Sequence, residues 1–363
     1  IQQGEPESMS SKVSKFLLSP WLALLTFGFL LAFKLQDPFL VESARLKFYD
    51  YLMISEQKQS EEIVVVNIGE KAIEKYGQWP FPREVHAKII SDLYGGGAGI
   101  VGSTVLMPEP DRFGTDRVLV DVLNQAPVVL TQTVSDSCTR SSSSIRRTGV
   151  AVIGDGQPTE FLPQYPCVLS NIAPLQEAAA GVGVSSTLPE ADGVVRRVPL
   201  LAQSSGEYYP AFALELLRVA AGDPSYQVKV NETGVEALRI PQFNTIKTDE
   251  YGRIFINPNY KFKEIELGAT TNVDLNEKIV ILGVTAAGIQ NPLATPQGAQ
   301  YPQNVQASIL QTLLDGDSVS IPLWASSLDL ALLFFLTIGI VLLSKVRYSV
   351  VWIMILVGGY FYL

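Results

Sequence analysis

The stretch "IVVVNIGEKAIEKYGQWPFPREVHAKIISDLYGGGAGIVGSTVLM", residues 63–107, decides the fold class. It opens on a continuous β-branched run, Ile63 to Ile68, the pattern of a strand buried on both faces. Val85, Ile89, Ile90 and Leu93 then recur at helical spacing, with Pro82 at the start and glycines at the end. "AGIVGSTVLM" returns to the pattern of a buried strand. Strand, helix and strand within about 45 residues make a βαβ unit, so the two strands run parallel.

Working outward, "DRVLVDVLNQA" predicts a helix and "PVVLTQT" a third strand. The segment from Ser135 to Pro174 is polar and reads as loop. "VVRRVPLLAQ" predicts a strand, and "YPAFALELLRVAAG" an amphipathic helix ended by Gly222. Residues 225–257 alternate apolar and polar between turn residues, which predicts a small antiparallel patch. "EKIVILGV" returns to the parallel pattern, and "NVQASILQTLLDGD" is a closing helix. The expected fold class is α/β, a mostly parallel sheet with flanking helices plus an antiparallel patch, joined to transmembrane helices.

Three apolar segments carry the membrane expectation. Phe16 to Phe33 is uncharged and bracketed by Lys15 and Lys34; Leu323 to Ser344 and Tyr348 to Leu363 follow the outer region. A bilayer-spanning helix takes roughly 20 residues. Lys12 and Lys15 precede the first segment, and Lys345 and Arg347 separate the other two, so the positive-inside rule puts all four in the cytoplasm. Domains follow as a cytoplasmic N-terminus (1–15), a first span (16–33), an extracytoplasmic domain (36–321), a second span (323–344) and the start of a third (348–363). The helix "VESARLKFYDYL" continues the first span outward as a stalk. Asp329, the one acid in the second span, is read either as a functional intramembrane group or as a side chain snorkelling to the interface. The expected location is the inner membrane, multi-pass, with the lipid bilayer as a partner and the sensor facing the periplasm or exterior.

Composition narrows the function. A net charge of -9 argues against a nucleic-acid surface, and a single histidine, His86, excludes a multi-histidine metal site. No phosphate loop, G-x-S-x-G or H-E-x-x-H motif occurs, so nothing in the outer region points to catalysis. An oxidising compartment suits a Cys138–Cys167 disulfide; two free thiols are the alternative.

Several pieces recur in the order of a known family. "FYDYL", "IVVVNIGEKAI", "YGQWPFPREVHAKII", "GAGIVGSTVLMPEPDR", "DGVVRRVPLL", "YYPAFALELLR", "GRIFINP" and "IVILGVTAAGIQNPLATP" together resemble the second type of CHASE domain, an extracytoplasmic sensor associated with cyclases and histidine kinases. The resemblance implies a signalling receptor with one helix before the sensor, usually three after it, and a cytoplasmic output module. By family frequency that module is a class III adenylate or guanylate cyclase making cAMP or cGMP, which works as a homodimer. A histidine kinase, a Ser/Thr kinase or a diguanylate cyclase is the alternative output. A reading of another class is a non-signalling, membrane-anchored binding or scaffold protein.

Ligands of open parallel sheets bind outside the carboxyl ends of the strands. Three such ends here carry polar groups: Glu70, then Glu109, Asp111 and Arg112, then Thr285, Gln290 and Asn291. Two readings stay open. In one, these groups share a crevice for a small ligand or a hard cation such as Ca²⁺. In the other, Arg112 pairs with a nearby carboxylate and pins the loop. Arg196 and Arg197, adjacent on an extended segment, point to opposite faces, so at most one joins any site. Trp79 and Phe81 read as a Pro-locked corner over the core, and His86 as structural or solvated.

Overall fold

The computed structural model describes residues 20–36, 39–135, 148–268, 274–319, 321–322, 324–343 and 357. They form two units, a larger one of Ile54–Leu323 and a helical one from the two flanks. The helical unit opens with α1 (Pro20–Gln36) and α2 (Phe39–Met53). The larger unit begins with β1 (Lys58–Ile68), α3 (Glu70–Tyr76), α4 (Arg83–Gly95), β2 (Ile100–Ser103), α5 (Asp116–Leu123) and β3 (Val128–Ser135). It continues through β4 (Gly149–Ile153), β5 (Cys167–Leu169), α6 (Ala173–Ala178), β6 (Gly181–Val184), β7 (Arg197–Pro199), β8 (Leu201–Ser204) and β9 (Glu207–Pro210). Next are α7 (Phe212–Ala220), β10 (Ser225–Asn231), β11 (Gly234–Ile240), β12 (Asn244–Lys247), β13 (Arg253–Phe255) and β14 (Tyr260–Glu266). It closes with β15 (Ile279–Val284), β16 (Leu293–Thr295), β17 (Gly298–Gln300) and α8 (Pro302–Asp315), while α9 (Ala325–Leu343) returns to the helical unit.

The main sheet has the order β14-β1-β15-β2-β3, with β5 and β6 as further partners of β3. Every pairing in it is parallel except β3 with β5. The βαβ unit read from residues 63–107 is present, with β15 inserted between its two strands. Alternation along β1 feeds two cores. Ile63 and Val65 join the one that holds α7 and α8, while Val64, Val66 and Ile68 join the one under α3 to α6. The sheet is therefore covered on both faces, as its apolar strands require.

A second sheet, β12-β11-β10-β4, is the expected antiparallel patch, with β4 added parallel to β10. The segment 135–174 is thus less loop-like than its polarity suggests: it supplies β4 and β5. "VVRRVPLLAQ" also divides. Arg197 to Pro199 pairs with β13 and Leu201 to Ser204 with β9, because Pro199 has no N–H to continue one ladder. β6, "GVGV", needs its glycines: a Cβ at Gly183 would stand 2.5 Å from Phe212 Cα, so α7 lies directly on this strand.

A charged network pins α7. Glu215, fully buried, accepts from Arg218 Nε at 2.9 Å and Nη2 at 2.7 Å, from Thr148 Oγ1 at 3.2 Å and from the Tyr226 hydroxyl. Arg218 also donates to the carbonyls of Asp223 and Ala180.

In the helical unit, Leu30 packs against Leu333 and Leu336, and the Phe27 and Phe334 rings meet edge-on at 6.3 Å. Lys34, in the last turn of α1, pairs with Asp329 near the start of α9. Among the described residues no helix is long and apolar enough to cross a membrane. The first two expected spans correspond to α1, 17 residues, and α9, 19 residues, while the third lies outside the described residues apart from Val357.

Candidate functional site

The charged cluster that follows β2 is built around Asp111. Two helices start beside it, α4 at Arg83 and α5 at Asp116, each presenting unpaired backbone N–H groups and the positive end of its dipole. Asp111 Oδ2 accepts from the Arg83 amide at 3.4 Å, the Thr115 amide at 3.1 Å and the Thr115 hydroxyl. Its own amide donates to Asp116 Oδ2 at 2.9 Å. Desolvation pushes the Asp111 pKa up, but the Thr115, Arg83 and Phe113 hydrogen bonds outweigh it and the carboxyl ends below its ordinary value.

Arg83 closes the corner. It is buried, its Nη2 donates to the Glu109 carbonyl at 2.8 Å, and its Nε lies 3.4 Å from Asp116 Oδ1. The expected cation was Arg112, which instead is exposed, donates to the Pro80 carbonyl at 3.4 Å and lies 4.7 Å from the Phe113 ring. The arginine inside this corner is therefore Arg83, and Arg112 lies at its exposed side. Sequence did carry a signal for Arg83: a cation in the first turn of a helix opposes the dipole and calls for a compensating partner.

The "WPFPR" corner covers the core as expected. Phe81 is buried against Trp79 at 5.1 Å and Tyr76 at 5.8 Å, and the Trp79–Pro80 peptide is cis. His86 sits behind it, buried and edge-on to Trp79 at 5.8 Å, so it is structural and not solvated. Burial and then Arg83 lower its pKa to about 4, against an upward pull from Asp111.

The other candidates form a separate group. Strands β1, β15 and β2 are neighbours, as the crevice reading required. Glu70 accepts from the Ala287 amide at 2.9 Å, and the Thr285 amide donates to the Ile68 carbonyl at 3.0 Å, which laces the loops after β1 and β15 together. Asn291 is exposed further along that loop. Among the described residues no hydrogen bond or ion pair joins Glu70 to Asp111 or Arg112. Among them, too, no group of three or more His, Cys, Asp or Glu side chains is placed to hold a metal ion. Chemically, two carboxylates at the sheet end, Glu70 and Asp111, are already taken up by backbone amides.

Arg196 and Arg197 do point to opposite faces. Arg196 is buried and forks onto Asp192, with both bonds at 2.8 Å; Arg197 pairs with Glu190 and lies 5.3 Å from the Phe255 ring. Cys167 is buried in β5, while Cys138 lies outside the described residues. Sequence reasoning missed the Glu215–Arg218 pair; its signal was an acid and a base three apart inside an otherwise apolar helix.

No curated protein and no solved structure matches this chain. The CHASE2 domain family model matches residues 22–343. That match takes in the whole larger unit and nearly all of α1 and α9. The chain belongs to the CHASE2 family, the extracytoplasmic sensor domains of signalling receptors.

Proposed function

We propose that this chain is the sensory and membrane-anchoring portion of a receptor whose cytoplasmic output is a class III nucleotide cyclase working as a homodimer. Residues 36–321 face the periplasm or exterior, and the apolar segments 16–33, 323–344 and 348–363 anchor them in the inner membrane. The observation that carries this reading is the Lys34–Asp329 pair. It supports the reading by bringing the end of the first apolar segment beside the start of the second, as expected if the chain between them leaves and re-enters the membrane on one side. The same pair gives the acid within the second segment a cation, as a charge near a membrane interface needs. The cyclase output is carried by the family alone.

Intact cells treated with protease test the topology: cleavage at the Ser-rich stretch 141–144 is expected, and cleavage only after lysis overturns it. Expressing the whole gene product in a cyclase-deficient host tests the output. Accumulation of cAMP or cGMP is expected, and a product without either nucleotide sinks the cyclase assignment. Cys138 and Cys167 are proposed to be a disulfide, in which case thiol counting on denatured, unreduced protein finds none. A loop of about 30 residues closed in this way contributes roughly 3 to 4 kcal/mol.

A further inference from the structure

The "LPEADGVVRRVPL" segment, residues 188–200, helps enclose a cleft of about 300 Å³ well away in sequence from the Asp111 corner. That volume is at the low end for small-ligand pockets, roughly 300 to 1,000 Å³. Phe161, Leu188, Tyr251 and the three prolines Pro163, Pro189 and Pro199 supply apolar walls. The cleft is held rigidly. β7 and β13 pair with Pro199 opposite Arg253, and the Glu190 amide bonds the Val194 carbonyl at 2.9 Å to close the loop.

Its three charged groups are not equivalent. Glu190 and Arg197 neutralise each other, with both Nε and Nη2 of the arginine on the carboxylate. Arg253 is different. Its Nε donates to Asp249 Oδ2 at 2.8 Å, and its guanidinium lies 4.7 Å from the Tyr251 ring. Asp249 is itself buried and fixed, because its Oδ1 accepts from the Tyr251 and Arg253 amides at 3.0 and 2.9 Å. One edge of the guanidinium is thus anchored, and the Tyr251 ring lies close against it. Its terminal nitrogens have no protein partner among the described residues.

We propose that this cleft binds a small monocarboxylate with a flat apolar body. The carboxylate takes the two terminal nitrogens of Arg253, and the body lies against Phe161, Tyr251 and the prolines. A fork of two parallel N–H donors matches a carboxylate. A cation is disfavoured, since both acids, Glu190 and Asp249, already face an arginine. A phosphate dianion would want a second unspent cation, and Arg197 is consumed by Glu190. The aromatic and proline walls supply the apolar burial that most of a small ligand's affinity needs.

Binding is measured on the chain alone and needs no output module, so this site and the receptor reading fail independently. Thermal unfolding of the purified full chain in detergent is followed with benzoate and phenylacetate at millimolar concentration. Acetate, benzamide and benzyl alcohol serve as controls that lack either the body or the charge. The two aromatic acids are expected to raise Tm and the three controls to leave it unchanged. Arg253→Gln should remove the rise while the ligand-free Tm stays within a few degrees. If that variant does not fold, the comparison of acid with neutral isostere on the unaltered protein decides. Equal shifts from benzamide, no shift from either acid, or an undiminished shift in folded Arg253→Gln overturns the proposal.

Discussion

Two of the regions that join acids to arginine, the corner after β2 and the core beneath the sheet, do so by different physics. At the corner after β2, Asp111 is neutralised chiefly by backbone N–H groups at two helix starts, and Arg83 adds a bond to a carbonyl and a long contact to Asp116. Under the sheet, Glu215 sits in the first turn of α7, but no solvent reaches it and it takes a full counter-charge, Arg218. Four charges within eight residues made the corner conspicuous in the sequence, and two charges in an apolar helix left the core pair unnoticed. Dense charge is affordable where water or backbone dipoles screen it. The sparse pair is the one whose loss the fold will feel most.

The largest effect expected is therefore at the less conspicuous pair. Arg218→Met leaves Glu215 charged, buried and short of two donors, and should cost about 3 to 5 kcal/mol in a urea titration. Replacing both residues, Glu215→Leu with Arg218→Met, should recover most of that loss, since an apolar pair of similar volume removes the burial of charge. A single-variant loss under about 1 kcal/mol would mean the network is not what holds α7 to β6.

The corner has a pH signature of its own. His86 has a folded pKa of about 4 against an ordinary 6.5, so between those values the unfolded chain binds the proton and the folded one does not. Stability is whole above pH 6.5, falls as pH drops toward 4, and flattens below. The span is worth about 3 kcal/mol at 1.36 kcal/mol per unit. His86→Leu, which keeps an apolar group between Trp79 and Phe81, should flatten the slope from pH 6.5 to 5. An unchanged slope in that variant would assign the acid sensitivity to other groups.

Arg83→Ala comes next. It removes the donor to the Glu109 carbonyl and leaves Asp116 without its nearest cation, both in partly buried surroundings. The expected loss is about 1 to 3 kcal/mol, read as a lowered urea midpoint with an unchanged slope. Thr115→Val, which deletes one of the donors to Asp111, should fall at the lower end of that range.

The ranking follows what was and was not legible in the sequence. β1, α4, β2, β15 and α7 were legible because each buries a long apolar pattern whose period survives any tertiary detail. β6 was not, since "GVGV" has little apolar mass and exists to let a helix approach, which only the packed partner reveals. β4 was hidden for a related reason: its residues stay largely exposed at the edge of the second sheet, so no burial pattern marks them. At the sheet end, the adjacency of β1, β15 and β2 was only a condition of the crevice reading, because a βαβ pattern does not say which later strand inserts between its two strands. Which arginine faces Asp111 was not legible either. That depends on the turn made by Trp79 to Pro82, and residue types do not specify a direction in space.

Arg112 gives the finest test of the comparison. It lies within one residue of Asp111, and on charge alone it competes with Arg83 as the partner that pins the loop. The geometry separates them: Arg83 is buried and reaches two groups of the corner, whereas Arg112 is exposed and, among the described residues, donates only across 3.4 Å to the Pro80 carbonyl. Its contact with the Phe113 ring is equally exposed and is worth at most about 0.5 to 1 kcal/mol. Arg112→Ala should therefore shift the unfolding free energy by no more than about 0.5 kcal/mol, the range of ordinary surface substitutions. The double variant with Arg83→Ala should add the two effects with no coupling, because the two guanidiniums share no partner. A coupling above about 0.5 kcal/mol, or a single Arg112 effect as large as that of Arg83, would restore Arg112 as the clamp and return Glu109 and Asp111 to it.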